Sequence, residues 1–300
     1  MSSELQAVLK RHSSPLVPQP TETVPQLKTL SGLKAALFDI YGTMLISASG
    51  EVGTVSELGR GQFFLDALLA AKAIEETHEQ PLDGKHGMEV FFETIHQHHA
   101  ASKAEGIPYP EVEIRDVWKD CLTQLKNGGW PIQESINFDL LAIQYELRIN
   151  PTWPMPHLVE CLERFQAKGI ALGIVSNAQF FTPLLFPSLI DRTLEDFGFN
   201  TKLQFYSYQF KRAKPDTFLY EQAVEILKDF NIQPHEVLYV GNDLLNDITP
   251  ASKVGFRTAL FAGDARSLRW REGDERVQGV CPDLVVTNWP QLLDCLETTC

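Results

Sequence analysis

The stretch Leu33-Lys-Ala-Ala-Leu-Phe-Asp-Ile-Tyr-Gly-Thr43 decides how the rest of the chain is read. The five residues Ala35 to Asp39, mostly apolar with Leu37 and Phe38 between, read as a short buried strand of a parallel sheet. The run ends in an acid, Asp39, with Gly42 and Thr43 close behind. Open α/β sheets place their ligand sites at the carboxyl ends of such strands. The glycine permits a sharp turn whose N–H groups can face an anion. Taken alone, the segment is equally well a strand followed by an ordinary turn, and the rest of the chain has to decide.

Downstream, the α/β rhythm is regular. His157 to Lys168 reads as a helix closed by Gly169, and Ile170 to Val175 as a buried strand ending in Ser176-Asn177. Residues 202–208 predict another strand, followed by Lys211-Arg-Ala-Lys-Pro215. Thr217 to Phe230 reads as a helix, and Val237 to Val240 as a strand leading into Gly241-Asn-Asp-Leu-Leu-Asn-Asp247. A helical turn at Ala251 to Val254 and strands at Thr258–Phe261 and Leu284–Thr287 complete the pattern. Such alternation predicts an α/β fold, a doubly wound parallel sheet with right-handed crossovers.

Between the first strand and this repeat the period changes. Residues 44–53 are short and glycine-broken, consistent with a small hairpin or flap. From Gly61 to Arg148 apolar residues recur at helical steps, predicting four or five helices with loops at 84–87, 106–110 and 128–131. This block is an inserted helical cap. His86, His96, His98 and His99 fall on different faces of one helix and read as a solvated polar face, not a metal site. Phe91, Phe92, Tyr109, Trp118 and Trp130 read as the cap's own core. Residues 1–32 form an arm, broken by Pro15, Pro18, Pro20 and Pro25 and expected to pack loosely. The expected organisation is an arm over 1–32, an α/β core over 33–46 and 151–300, and a helical cap over 47–150.

Composition limits the partners. With 26 Lys+Arg against 39 Asp+Glu, the net charge of -13 repels nucleic-acid phosphates and anionic lipid. No apolar run is long enough to span a bilayer, and Met1-Ser-Ser-Glu-Leu lacks an export-signal pattern. Five cysteines without metal-like spacing point to free thiols in a cytoplasmic setting. The expected partner is a small anionic molecule, with no nucleic acid and no membrane.

Polar residues end neighbouring strands on one sheet edge: Asp39, then Ser176 and Asn177, then Lys214, then Asp243 and Asp247. Asp243 and Asp247, at i, i+4, can share a site if a helical turn begins there. Converging carboxylates repel unless a cation joins them, and an all-oxygen donor set favours Mg²⁺. A lysine and a serine hydroxyl beside them suit phosphoryl oxygens.

These four segments, in this order, resemble the motifs of the haloacid dehalogenase-like (HAD) hydrolase superfamily. Phe38-Asp39-Ile40-Tyr41-Gly42-Thr43 matches the first motif with one departure, Ser176 the second, Lys214 of Ala-Lys-Pro the third, and Gly241 to Asp247 the acidic fourth. The helical insertion matches the family's C1 cap. The resemblance implies that Asp39 is a nucleophile forming an aspartyl intermediate, and that Thr43, Ser176, Asn177 and Lys214 bind the transferred group. It also implies that Asp39, the Tyr41 carbonyl and Asp243 or Asp247 hold Mg²⁺. Asn242 stands where many relatives have their first acid.

The departure is Tyr41. The family's phosphatases carry a second Asp there, which protonates the leaving alcohol. Its haloacid dehalogenases carry tyrosine, because a halide needs no proton, but they lack an acidic fourth motif. Three readings follow: Mg²⁺-dependent hydrolysis of a small phosphorylated metabolite, metal-independent 2-haloacid dehalogenation, and a non-catalytic binding protein on the same scaffold.

Overall fold

Ala35 to Phe38 form β1, and all four side chains are buried. The computed structural model describes residues 2–49, 57–75 and 81–296. Its other strands are β2 (Leu45–Ser47), β3 (Thr152–Pro154), β4 (Ala171–Ser176), β5 (Phe199–Tyr206), β6 (Val237–Gly241), β7 (Arg257–Phe261) and β8 (Leu284–Val286). The main sheet has the order β5-β4-β1-β6-β7-β8, and every neighbouring pair is parallel. β1 is central, with Phe38 in register with Ile174 on one side and Val240 on the other.

Successive side chains of a strand face opposite sides of the sheet, and β1 divides between two cores accordingly. Ala36 and Phe38 join one apolar cluster and Ala35 and Leu37 the other. Eleven helices complete the described residues. They are α1 (Ser2–His12), α2 (Glu57–Ala70), α3 (Gly84–Ala104), α4 (Ile114–Asn127), α5 (Phe138–Ile149), α6 (Leu158–Ala167), α7 (Thr182–Ile190), α8 (Ser207–Phe210), α9 (Phe218–Asp229), α10 (Thr249–Lys253) and α11 (Trp289–Asp294). On the first face the Phe38 ring lies 5.6 Å from Phe165 of α6 and 5.4 Å from Trp289 of α11. On the second, Leu37 and Tyr239 meet Leu219, Tyr220 and Leu227 of α9. Helices on both faces of a parallel sheet make this the doubly wound α/β fold expected from the sequence.

Helices α2 to α5 pack on one another around an aromatic cluster. Phe64 stacks 5.4 Å from Trp118, and Phe91 lies 4.4 Å from the same ring. Two features differ from the sequence reading. No local hairpin follows β1: β2 pairs antiparallel with β3, more than a hundred residues away, closing the base of the helical layer. The remainder of that expected flap, 50–53, lies outside the described residues. Gly84 to Gly87 are not a loop but the first turn of α3, capped by Asp83, whose Oδ1 accepts from the N–H groups of Lys85 and His86. Glycine is required at 84 for close approach, since a Cβ would sit 2.2 Å from the Gly61 carbonyl oxygen of α2.

The N-terminal arm is anchored where loose packing is the expectation. Leu5 and Leu9, one helical turn apart, are buried as α1 packs on α7 and α5. The proline-rich stretch then runs along the sheet edge, where Gln26 exchanges backbone hydrogen bonds with Val285. No described helix is long and apolar enough to cross a membrane.

Candidate active site

Four adjacent strands deliver the site. Asp39 follows β1, Ser176 ends β4, Lys214 lies in the loop after β5 and α8, and Asp243 and Asp247 flank the turn after β6. Asp39 Oδ1 accepts hydrogen bonds from Ser176 Oγ at 2.8 Å and Lys214 Nζ at 2.7 Å. The same ammonium donates to Asp247 Oδ1 at 2.5 Å, and the three charged side chains are at most 8% exposed. Asp39 Oδ2 takes no hydrogen bond from any described residue. One oxygen of this carboxylate is therefore fixed, and the other is uncommitted.

Asn177 sets the position of the lysine. Its Oδ1 accepts from the Lys214 N–H at 2.8 Å, and its Nδ2 donates to the Lys214 carbonyl. Burial works against the charge on Lys214, but Asp247 and Asp39 more than offset it and raise its pKa above the ordinary lysine value. Burial pushes the Asp247 carboxyl up, Lys214 pulls it down, and Asp39 and Asp243 push it up again.

The acidic segment folds as a wide helical turn, Leu244–Ile248, and its two acids have different partners. Asp247 Oδ1 also accepts from the Tyr239 hydroxyl at 3.0 Å, and Asp247 Oδ2 from the Asp243 N–H at 2.9 Å. Gly241 admits this carboxyl, because a Cβ there would lie 2.3 Å from Asp247 Cγ. The Asp243 carboxylate caps the turn, accepting from the N–H groups of Leu245 and Asn246. It is also clasped by Arg271, whose Nε lies 3.1 Å and 3.2 Å from its two oxygens. Among the described residues, no three His, Cys, Asp or Glu groups stand ready-made around a metal position.

Thr43 is held back from the edge. Its Oγ1 donates to Asn242 Oδ1 at 3.1 Å, while Asn242 Nδ2 donates to the Ser267 carbonyl. The Tyr41 hydroxyl shares a 2.9 Å hydrogen bond with Thr182 Oγ1. Burial first, then the charge of Glu146, lifts the Tyr41 phenol well above its ordinary pKa. The structure thus brings Asp39, Ser176, Lys214 and Asp247 into direct contact. Asn177 joins through the lysine backbone, Thr43 through Asn242, and Asp243 through its N–H. Sequence reasoning missed Arg271 and Tyr239. The basic run Arg266-Ser-Leu-Arg-Trp-Arg271 after a predicted strand is the signal that could have pointed to the first.

A cavity of about 460 Å3 opens beside Tyr41 and Asn177, under the helical layer. Phe91, Phe92, Ile95, Tyr145 and Phe181 supply much of its wall, so Phe91 and Phe92 serve the cavity as well as the helical core. The described lining contains no lysine or arginine. Its ionisable groups besides the phenols are Glu111, Glu146 and His99. Burial pushes Glu146 up to about 7, eased by a 3.0 Å hydrogen bond from Asn150 Nδ2. Glu111 is also raised by burial, with one oxygen accepting from the Val112 N–H and the other from Ser207 Oγ. Burial first, then Lys103, lower the His99 imidazole below its ordinary pKa.

The segment between α3 and α4 docks beside the lysine loop. The Ala213 N–H donates to the Tyr109 carbonyl at 2.8 Å, and the Glu111 N–H to the Lys211 carbonyl at 3.1 Å. Gln179, three residues after Ser176, donates to the Val112 carbonyl and accepts from the Ile114 N–H.

The chain is similar to several known proteins. A glyceraldehyde 3-phosphate phosphatase of Pyrococcus furiosus is 26% identical over 203 residues, covering 62% of this chain and 78% of that protein. A phospholysine phosphohistidine inorganic pyrophosphate phosphatase of Danio rerio is 34% identical over 73 residues, 24% of this chain and 26% of that protein. The crystal structure of a 2-haloacid dehalogenase from Pseudomonas syringae pv. Tomato superposes with a TM-score of 0.55 at 18% identity, covering 88% of this chain and 97% of that one. That likeness is one of fold. The haloacid dehalogenase-like hydrolase family model matches residues 33–255, from the strand that carries Asp39 to beyond Asp247. By this match the chain belongs to the haloacid dehalogenase-like hydrolase family.

Proposed function

We propose that this hydrolase is a phosphatase acting on a small phosphorylated metabolite through an aspartyl-phosphate intermediate. The observation that carries the reading is the asymmetric Asp39 carboxylate, with Oδ1 bound to Lys214 and Ser176 and Oδ2 uncommitted. In the first step Oδ2 attacks phosphorus and the bond to the leaving oxygen breaks. Water then cleaves the acyl phosphate, releasing phosphate and restoring the carboxylate. Lys214, kept charged by Asp247 and Asp39, balances charge on the transferring oxygens and needs no reorganisation to do so. Ser176 and Lys214 bind the transferred group, Asn177 positions Lys214, and Thr43 braces the edge through Asn242. The helical layer acts as the cap, with boundaries at 47 and 150, over a core of 33–46 and 151–300.

Magnesium, which the family implies, fits the donor chemistry of this edge. The groups are oxygens, and among the described residues Asp39 Oδ2 is uncommitted and the ion pairs of the three carboxylates are with Lys214 and Arg271. Asp39, the Tyr41 main-chain carbonyl and Asp243 would hold it, with Asp243 exchanging Arg271 for the metal. Bound there, it would supply further charge neutralisation to the phosphoryl oxygens. Asp247 spends its oxygens on Lys214, Tyr239 and the Asp243 N–H, and in this reading serves the lysine instead.

Tyr41 favours the second reading, a metal-independent dehalogenase. A 2-haloacid, however, brings a carboxylate into the cavity, whose described lining offers two carboxyls and no lysine or arginine. The phosphatase therefore stands first. A panel of aryl phosphates, alkyl phosphates and 2-haloacids, with and without Mg²⁺, decides. Phosphate release that disappears in Asp39→Asn supports the proposal, and halide release without metal overturns it.

A further inference from the structure

The cavity under the helical layer has a chemistry that the phosphoryl site does not explain. Tyr41 and Asn177, which line it, stand two residues past Asp39 and one past Ser176, so in the phosphatase reading the group esterified to the phosphoryl enters it. The wall is largely aromatic and aliphatic. Of its two carboxyls, Glu111 is already satisfied by the Val112 N–H and Ser207 Oγ. Glu146 is different. One oxygen accepts from Asn150 Nδ2, and no lysine, arginine or charged histidine is paired with it among the described residues. A half-buried carboxyl facing a largely apolar cavity without a counter-cation is costly to ionise. A positively charged guest removes that cost, whereas an anionic guest adds to it.

The aromatic faces extend the argument. Phe91 and Tyr145 lie 5.3 Å apart at an interplanar angle of 64°, and both line the cavity with Phe92 and Tyr41. Ring faces are negative and attract organic cations. A primary ammonium needs several hydrogen-bond acceptors, and those of the lining are largely engaged: Asn150 Oδ1 accepts from Ser47 and Ser49, Asn177 Oδ1 from the Lys214 N–H, and Gln179 Oε1 from the Ile114 N–H. A methylated ammonium needs none, and its methyl groups match an apolar wall.

We propose that this cavity is the subsite for the non-reacting end of the substrate and takes an apolar group bearing a methylated ammonium, with Glu146 as its counter-charge. The inference rests on the phosphatase reading for the word substrate, but the cavity's preference for a cation can be measured without turnover.

Choline and its uncharged isostere 3,3-dimethylbutan-1-ol, titrated by calorimetry into the full chain, test it. Choline should bind about tenfold or more tightly than the isostere. Glu146→Gln should bring the ratio close to one, while Glu146→Asp, which keeps the charge, should retain part of it and guards against a folding defect. Equal binding of the two probes by the parent, or a preference that survives Glu146→Gln, overturns the proposal. The corresponding phosphate esters then separate the two claims. A kcat/KM ratio favouring choline phosphate, lost in Glu146→Gln, supports the proposal in full. If neither ester nor an aryl phosphate is hydrolysed while the choline preference holds, the phosphatase reading fails and the cation subsite stands. An equal loss on both esters in Glu146→Gln, steepening with leaving-group basicity, would make Glu146 a proton donor and overturn its role as counter-charge.

Discussion

Lys214 Nζ donates to the same oxygen of Asp39 that Ser176 holds, at 2.7 Å, and so leaves the opposite oxygen uncommitted among the described residues. Lys214→Met should lower kcat on an aryl phosphate by roughly 10²–10³-fold, the scale of losing one preorganised electrostatic partner. The same change leaves Asp39 and Asp247 buried without their shared cation, at a cost of about 3–5 kcal/mol. Denaturant unfolding of the variant should become shallower in its cost as pH falls and the carboxyls protonate. A variant as stable as the parent at pH 8 would show that the ammonium is not the partner both acids need.

Tyr41 offers its neighbours a phenol whose pKa is lifted well above normal by burial and Glu146, which makes it a weaker proton donor than an ordinary phenol. Leaving oxygens must then depart with little help, and aryl or acyl phosphates should be turned over faster than alkyl phosphates. Tyr41→Asp should narrow that gap on a series of esters of graded leaving-group basicity. Efficient parent turnover of simple alkyl phosphates would mean that another group supplies the proton.

Arg271 and Mg²⁺ compete for Asp243 in the proposed scheme. Calorimetric titration should find Mg²⁺ binding several-fold tighter in Arg271→Gln than in the parent, and negligible in an Asp243→Asn/Asp247→Asn double variant. Identical heats from all three proteins would remove Asp243 from the metal's ligands.

Gly241 faces the Asp247 carboxyl so closely that a methyl group would sit 2.3 Å from its Cγ. Gly241→Ala should therefore displace Asp247 from Lys214, lowering Tm and reducing turnover while the protein stays folded. Unchanged kinetics in a folded variant would show that Asp247 can move without consequence.

Glu146 links stability to pH. Its carboxyl sits at about 7 in the folded chain against an ordinary 4.5, so between these values the folded state binds the proton more tightly than the unfolded one. Stability should fall as pH rises from about 4.5 to about 7 and change no further from this group above that. The loss is at most about 3 kcal/mol, at about 1.4 kcal/mol per unit. Tm measured at pH 5 and pH 8 should differ less in Glu146→Gln than in the parent. Equal differences would mean that the carboxyl is ionised throughout.

Much of the catalytic edge is legible in the sequence for a simple reason. An apolar run of four residues that ends in an acid has few places to go in an α/β protein, and the sheet then lines up Asp39, Ser176 and Lys214 by adjacency of strands. The i, i+4 spacing of Asp243 and Asp247 likewise foretells a shared turn. Spacing does not foretell partners: Arg271, 28 residues beyond Asp243, reaches it across a loop with no period. Glycine misleads at Gly84, where it reads as a loop residue but serves two helices in close contact. Glu146 is hidden for a different reason. On a helix, an acid next to Tyr145 resembles any solvent-facing residue, and only three-dimensional packing encloses it.

The docking of Tyr109 to Ile114 against Lys211, Ala213, Ser207 and Gln179 has a consequence for timing. The contacts that hold the helical layer down are made by the same loop that delivers Lys214 and by a residue just past Ser176. If the layer lifts to admit or release a molecule, that motion would strain the lysine loop, and an empty, open protein would have Asp39 less well held than a closed one. Readiness to react and access to solvent would then alternate. In the proposed scheme, a bound molecule would meet the fully assembled lysine only after the way out has shut, which would protect an aspartyl intermediate from premature exposure to bulk water.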